Sequence, residues 1–207
     1  MKNIAVFASG NGTNLQALID AIENGKIKNG RIKVVFSNKK DAFALERARK
    51  HGIEALYMDA KSAGTREDFD RLLAEEMNKR CIDLICLAGY MKILTRNFID
   101  AFKGKIMNVH PSLLPSFGGE GMHGLNVHKA VIGYGAKMSG CTVHFVDYGT
   151  DTGPIIVQEC VAVDDDDTPE TLQQKILPYE YSAYTRAVAL FCAGKLAVEG
   201  RKVRVKK

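Results

Sequence analysis

The chain lacks the spacings and runs that mark several common classes of protein. Its five cysteines, Cys81, Cys86, Cys141, Cys160 and Cys192, include no C-x-x-C pair and form no even-numbered framework. Neither zinc nor a disulfide scaffold is supported, and buried free thiols are expected. No stretch reaches the ~20 apolar residues that a membrane-spanning helix requires. The opening MKNIAVFASG also lacks the charged start, long apolar core and cleavage site of a leader, so a cytoplasmic protein with no membrane partner is expected. A large excess of one charge is missing as well. Lys+Arg number 29 against 24 Asp+Glu, but Arg201, Lys202, Arg204, Lys206 and Lys207 supply the whole difference. A neutral body argues against nucleic acid as a partner, because such readers need a basic face spread along the fold. The tail itself reads as a frayed terminus.

What is present is enough for one globular domain: 207 residues, 46% of them hydrophobic. Residues 4–8 (IAVFA) form a short buried strand, after which Asn11 or Thr13 offers an N-cap to a helix carrying Leu15, Leu18, Ile19 and Ile22 on one face. The unit recurs: residues 32–36 are a second apolar strand, followed by a helix with Phe43, Leu45 and Ala48 that stops at Gly52. A third strand falls near residues 55–58. Thr65 with Asp68 then opens a helix bearing Phe69, Leu72, Leu73 and Met77, and residues 82–88 (IDLICLA) are a strand too apolar for an exposed edge.

Such alternation predicts an α/β, doubly wound, mostly parallel sheet with helices on both faces and ligands at the C-terminal ends of the strands. The second half changes character. Residues 140–146 and 155–163 are β-rich and joined by a turn containing Asp151, Thr152, Gly153 and Pro154, which reads as a hairpin extending the sheet towards the C-terminus. A last helix begins at Thr168-Pro169 and runs towards Gly194, with Pro178 expected to kink or split it.

Two segments carry chemistry. Ser9-Gly10-Asn11-Gly12-Thr13-Asn14 joins the first strand to the first helix, where small residues let backbone amides approach an anion such as phosphate. A plain tight turn is the alternative. Leu15 stands where a dinucleotide fingerprint needs glycine and no P-loop lysine follows, so neither dinucleotide nor nucleoside triphosphate binding is implied. The second segment, N-V-H-P-S-L-L-P from Asn108, puts a carboxamide and an imidazole two residues apart, on one face of a strand. His110 is a candidate general acid or base, held extended by Pro111. Asn108 can donate to a developing oxyanion, and Asp151 can orient His110 or favour its charged form. A hydrogen-bonded core pair is the plainer reading of Asn108 and His110. His144 is either an interior residue or a lining one, His123 and His128 are loop surface or ligand contacts, and His51 is structural. The run of Asp164, Asp165, Asp166 and Asp167 reads as acidic solvation of a helix start rather than a metal cluster.

Taken together, SGNGTNLQ, AGYMKIL, NVHPSLLPSF and GCTVHFVDYGTDTGPI resemble the phosphoribosylglycinamide formyltransferases of purine biosynthesis, over nearly the whole chain. The resemblance implies 10-formyltetrahydrofolate as co-substrate, glycinamide ribonucleotide as acceptor, no metal, and a monomer or homodimer. It places the catalytic trio on Asn108, His110 and Asp151, and the ribonucleotide on Gly12, Thr13, Asn14 and Glu180. It places the folate near Arg66, Met91, Lys92, Ile93, Leu94, Val146 and Asp147. It also implies one domain over residues 1–207, with a phosphate-binding half at 1–103 and a folate-binding, catalytic half at 104–207. Two stretches depart from the family's pattern. A longer Gly118-Gly119-Glu120-Gly121-Met122-His123-Gly124 replaces its short turn, leaving His128 as the best match to its histidine, and Glu180 is followed by Tyr181 where histidine is commoner. A 10-formyltetrahydrofolate hydrolase, a methionyl-tRNA formyltransferase or a non-catalytic binding module are the rival readings. The first two typically carry an extra domain, for which no room is expected here.

Overall fold

The structure is a computed structural model that describes residues 1–206, and the chain forms two compact units, 1–107 and 108–207. In the first, β1 (Lys2–Phe7), β2 (Gly30–Ser37), β3 (Glu54–Tyr57) and β4 (Leu84–Leu87) alternate with α1 (Thr13–Glu23), α2 (Phe43–Lys50), α3 (Arg66–Lys79) and α4 (Arg96–Ala101). A 3-10 turn at Ala60–Ala63 precedes α3. The strands are parallel in the order β3-β2-β1-β4, with Val6 paired to Val35 on one side and to Cys86 on the other. Ile4, Ala5, Val6 and Phe7 are buried, as an inner parallel strand covered on both faces requires. At the C-terminal end of β1, Phe7 meets Phe36 edge-on at 4.8 Å and Tyr90 at 5.6 Å, which gives the loops there an aromatic floor.

Local signals explain most boundaries. Thr65 caps α3 by accepting the Asp68 N–H at 3.1 Å, as its sequence predicts. The start of α1 differs from expectation: neither Asn11 nor Thr13 is the cap. Gly12 takes that place in the left-handed region (φ 68°) with no side-chain cap. The reason is steric, since a Cβ on Gly12 would sit 2.9 Å from Ala44 Cβ.

β5 (Ile106–His110) runs from the first unit into the second, which continues with α5 (Leu125–Tyr134), β6 (Met138–Phe145), β7 (Ile155–Ala162), α6 (Pro169–Cys192), β8 (Leu196–Glu199) and β9 (Lys202–Val205). β6 and β7 form the expected antiparallel hairpin. Thr168 and Thr171 cap α6 reciprocally and Pro169 begins it. Pro178 does not split this helix: α6 runs unbroken for 24 residues, its apolar face of Leu172, Ile176, Ala183, Tyr184, Ala187 and Val188 packed in the core. Tertiary burial outweighs the one hydrogen bond that proline removes.

Two expectations need correction. The basic tail is not frayed, because Leu196 pairs with Val205 and Val198 with Val203 in an antiparallel β8–β9 ribbon turned at Gly200 (φ 60°). β9 also runs parallel to β7 at Lys202, and Arg204 pairs with Glu199. Lys207, the last residue of that tail, lies outside the described residues. The cysteines are not all buried either: Cys86, Cys141 and Cys192 are, but Cys81, in the connection between α3 and β4, and Cys160, on the outward face of β7, are exposed. Among the described residues no helix is long and apolar enough to cross a membrane.

Candidate active site

In the first unit the loop after β1 is held from behind. The Ala44 N–H donates to the Gly10 carbonyl at 3.1 Å, and Arg47 Nε donates to the Asn11 carbonyl at 2.8 Å. With Gly12 as a bare cap, the first amides of α1, from Thr13 and Asn14 onward, carry the partial positive charge of a helix N-terminus. Buried Ser9 ties this loop to the segment at residues 91–94. Its hydroxyl donates to Asn38 Oδ1 at 2.7 Å and accepts the Met91 N–H at 3.1 Å, while its own N–H donates to Gly89. Arg66 donates to the Ile93 carbonyl, and the Thr95 N–H donates to buried Asp70 at 2.6 Å. Met91, Lys92 and Ile93 are exposed and Leu94 is buried. An exposed apolar pair beside an aromatic floor suits a flat ring ligand. Burial, reinforced by the Asp70 charge, pushes the Tyr90 phenol well above its ordinary range.

In the second unit the end of β5 points Asn108 and His110 to one face, and the loop between β6 and β7 brings Asp151 to them. His110 Nδ1 lies 3.4 Å from Asp151 Oδ2, and Asn108 Nδ2 lies 3.5 Å from Asp151 Oδ1. His110 Nε2 donates to the Phe117 carbonyl at 2.9 Å, so the ring's other nitrogen meets the carboxylate attractively only when it too carries a proton. Gly118 makes room for this approach: a Cβ there would stand 3.3 Å from Asp151 Cβ and 2.5 Å from Leu114 Cδ2. The next N–H, of Gly119, donates to Asp151 Oδ2 at 3.1 Å. Phe117 and Asp151 both sit at positive φ (54° and 58°), a local strain concentrated where the constellation is assembled.

His144 belongs to this group, which resolves its open reading. Its Nδ1 donates to the Phe145 carbonyl at 2.9 Å, so Nε2 accepts the Asn108 amide N–H at 3.3 Å and lies 3.7 Å from Asp151 Oδ1. Both N–H groups of Asn108 are therefore directed at His144 and Asp151, the second weakly. Its oxyanion-donor role, expected from the sequence, requires that second N–H to turn from Asp151. Phe117 and Gly119, backbone anchors of the trio, were missed by sequence reasoning because any residue can supply a carbonyl or an amide.

Electrostatics in this pocket are opposed. Burial pulls His110 below the usual histidine value, while the Asp151 charge and the Phe117 carbonyl act the other way. Burial would raise Asp151, but the His144 ring, the His110 charge and the Gly119 N–H together hold it below the ordinary carboxylate range. His128, on α5, is buried and lowered first by burial and then by His110, and its Nδ1 has no hydrogen-bond partner. His123 is exposed, so His128 is the one that senses the trio. His51 closes α2 and bonds Glu23 at 2.8 Å.

The remaining sequence-predicted residues fall as follows. Glu180 is buried on α6, and after burial itself its charge is the main cause that raises the Cys141 thiol to about 12. Val146 is half-buried, and Asp147 accepts from the Gly149 N–H and the Thr152 hydroxyl, shaping the loop that carries Asp151. Asp164 and Asp167 hold Lys175 at 2.8 and 2.6 Å. Among the described residues no group of three or more His, Cys, Asp or Glu is arranged for a metal. Ser112, the hydroxyl nearest His110 in sequence, is committed to the Ser116 carbonyl at 2.6 Å.

The α/β fold carries at the end of β5 an Asn–His–Asp group, a set of donors and a carboxylate of the class that can stabilise developing charge. Comparison with known proteins narrows this. The chain belongs to the formyl transferase family, which matches residues 2–188. It is 40% identical over 194 residues to the phosphoribosylglycinamide formyltransferase of Escherichia coli, covering 94% of this chain and 89% of that one. It superposes on the crystal structure of glycinamide ribonucleotide transformylase 1 from Symbiobacterium toebii with a TM-score of 0.94 and 45% identity, covering 100% and 95% of the two chains. It is also 44% identical to a trifunctional purine biosynthetic protein of Chironomus tentans, of whose length it spans only 14%.

Proposed function

We propose that the chain transfers the formyl group of 10-formyltetrahydrofolate to the amine of glycinamide ribonucleotide, giving formylglycinamide ribonucleotide and tetrahydrofolate in purine biosynthesis. The convergence of Asn108 and Asp151 on buried His110, in a member of this family, carries the reading. The amine lone pair attacks the formyl carbon and the carbonyl electrons move onto oxygen. Asn108 and a charged His110 stabilise that oxygen, and Asp151 supports the imidazolium. A proton passes from the attacking nitrogen to the folate nitrogen, the carbon–nitrogen bond to folate breaks, and tetrahydrofolate leaves. No covalent intermediate and no metal takes part.

Amides at Gly12, Thr13 and Asn14 bind the phosphate, and Glu180 holds the ribose and glycinamide side. Met91, Lys92, Ile93 and Leu94, set in place by Arg66, are the folate residues of the first unit, and the backbone at Val146 and Asp147 is that of the second. The chain works as a single domain, monomeric or homodimeric, in the cytoplasm, with small molecules as its partners rather than nucleic acid or membrane. Tetrahydrofolate release, followed with and without glycinamide ribonucleotide, tests the reading. Release that depends on the acceptor and disappears in His110→Ala supports it; release without acceptor makes the chain a hydrolase instead.

A further inference from the structure

Arg47 takes no part in the chemistry above, yet its geometry is tied to the glycine loop. It lies on α2, half-buried, and is fixed at three points: Nε to the Asn11 carbonyl at 2.8 Å, Nη1 to Gln16 Oε1 at 3.0 Å, and the guanidinium over the Phe43 ring at 4.9 Å. All three partners are neutral. Among the described residues no carboxylate forms an ion pair with Arg47, although Arg49, two residues on, pairs with Glu46. An ordered guanidinium with an uncompensated charge therefore stands against a loop that contains no basic residue of its own, since residues 9–14 read S-G-N-G-T-N. The same helical turn also contacts the loop's neighbouring residues, through the Ala44 N–H on Gly10 and Ala44 Cβ under Gly12. Three consecutive loop residues are thus braced by one turn of α2.

From this geometry we infer that Arg47 is a positioning residue for the phosphate group of the substrate. It holds the Asn11 carbonyl back, so that the amides that follow face outward, and it supplies the positive charge that the loop lacks. The mechanism has two separable parts. A fixed carbonyl preorganises the loop, which reduces the ordering cost of binding. The fork's charge adds an attraction for a dianionic group that neutral amides alone do not provide. Neither part touches the formyl group, so the effect falls on ribonucleotide affinity and not on turnover.

The inference rests on the reading of the loop as the phosphate site, and the experiment keeps the two apart. Wild type, Arg47→Ala and Arg47→Lys are compared in formyl transfer, and separately in thermal protection by inorganic phosphate, which needs no reaction. Arg47→Ala is expected to raise the KM for glycinamide ribonucleotide about tenfold, with kcat and the KM for folate unchanged. The phosphate concentration giving half-maximal protection should rise in parallel, and Arg47→Lys, which keeps the charge and a donor, should recover most of both losses. An unchanged ribonucleotide KM in Arg47→Ala, or equal rises in both KM values, overturns the role of Arg47 while leaving the function intact. A wild type that gives no acceptor-dependent transfer overturns the function, and the phosphate arm still decides whether Arg47 supports an anion there.

Discussion

Replacing Asp151 by asparagine isolates the charge that faces His110. The carboxamide keeps the size of the side chain and an oxygen for the Gly119 N–H, but removes a negative charge 3.4 Å from His110 Nδ1 and 3.7 Å from His144 Nε2. At an effective dielectric constant of about 20, two unit charges 3.4 Å apart attract by about 5 kcal/mol. If half of that is expressed in the transition state, kcat falls by roughly 10²-fold at neutral pH. The pH profile gives the sharper test. In the proposed mechanism His110 works as the cation, so activity is expected below its pKa and is expected to be lost as pH rises through it. Burial already depresses that pKa and Asp151 opposes the depression, so in Asp151→Asn the alkaline limb of kcat/KM moves to lower pH. Part of the lost rate should then return on acidification. A uniform loss at every pH, with the alkaline limb in place, would refute the argument that Asp151 acts through the charge of His110.

Two further outcomes concern Gly153, in the loop that carries Asp151, and His128 on α5. In Gly153→Ala the new Cβ would lie 1.7 Å from the Phe145 carbonyl oxygen, and a backbone atom cannot yield cheaply. The variant should lose about 2 kcal/mol or more by chemical denaturation and lose activity as well, because the loop carrying Asp151 must move; wild-type stability would contradict this. His128 is buried with its pKa lowered, so its contribution to stability is complete above the ordinary histidine value of about 6.5 and is lost as pH falls through the lower folded value. Unfolding free energy of the wild type should decline on acidification below neutrality, and His128→Asn should make that decline shallower without abolishing it, since His110 carries a similar burial penalty. An identical slope in both proteins would count against it.

The legibility of the chain follows the range of the forces involved. Alternating buried strands and amphipathic helices from β1 to β4 were readable because parallel strands need unbroken apolar runs, and IAVFA and LICL supply them. The hairpin of β6 and β7 was readable from its turn residues. The β8–β9 ribbon was not, because basic residues at alternate positions look the same in a solvated tail and in an exposed strand; the pairing of Val203 and Val205 with β8 distinguishes them. Continuity of α6 through Pro178 was hidden for a related reason: local propensity argues for a break, and only packing of Tyr184 and Ala187 shows what outweighs it. Within the site, Asn108 and His110 were legible as a same-face pair, and Asp151 as a residue on a glycine-bearing turn. His144 stayed ambiguous, since a polar residue inside an apolar strand is equally consistent with a core position, and its role depends on where the 147–153 loop places a carboxylate. Backbone anchors such as the Phe117 carbonyl leave no mark in sequence at all.

His110, set between Phe117 and Asp151, is the proposed driver of formyl transfer to an amine. The most direct measurement is tetrahydrofolate release from 10-formyltetrahydrofolate in the presence and absence of glycinamide ribonucleotide, for wild type and His110→Ala, with folate binding measured alongside. Release should require the ribonucleotide in the wild type, and in His110→Ala it should fall by ~10²-fold or more with folate still bound. Undiminished transfer in His110→Ala would contradict the role of His110.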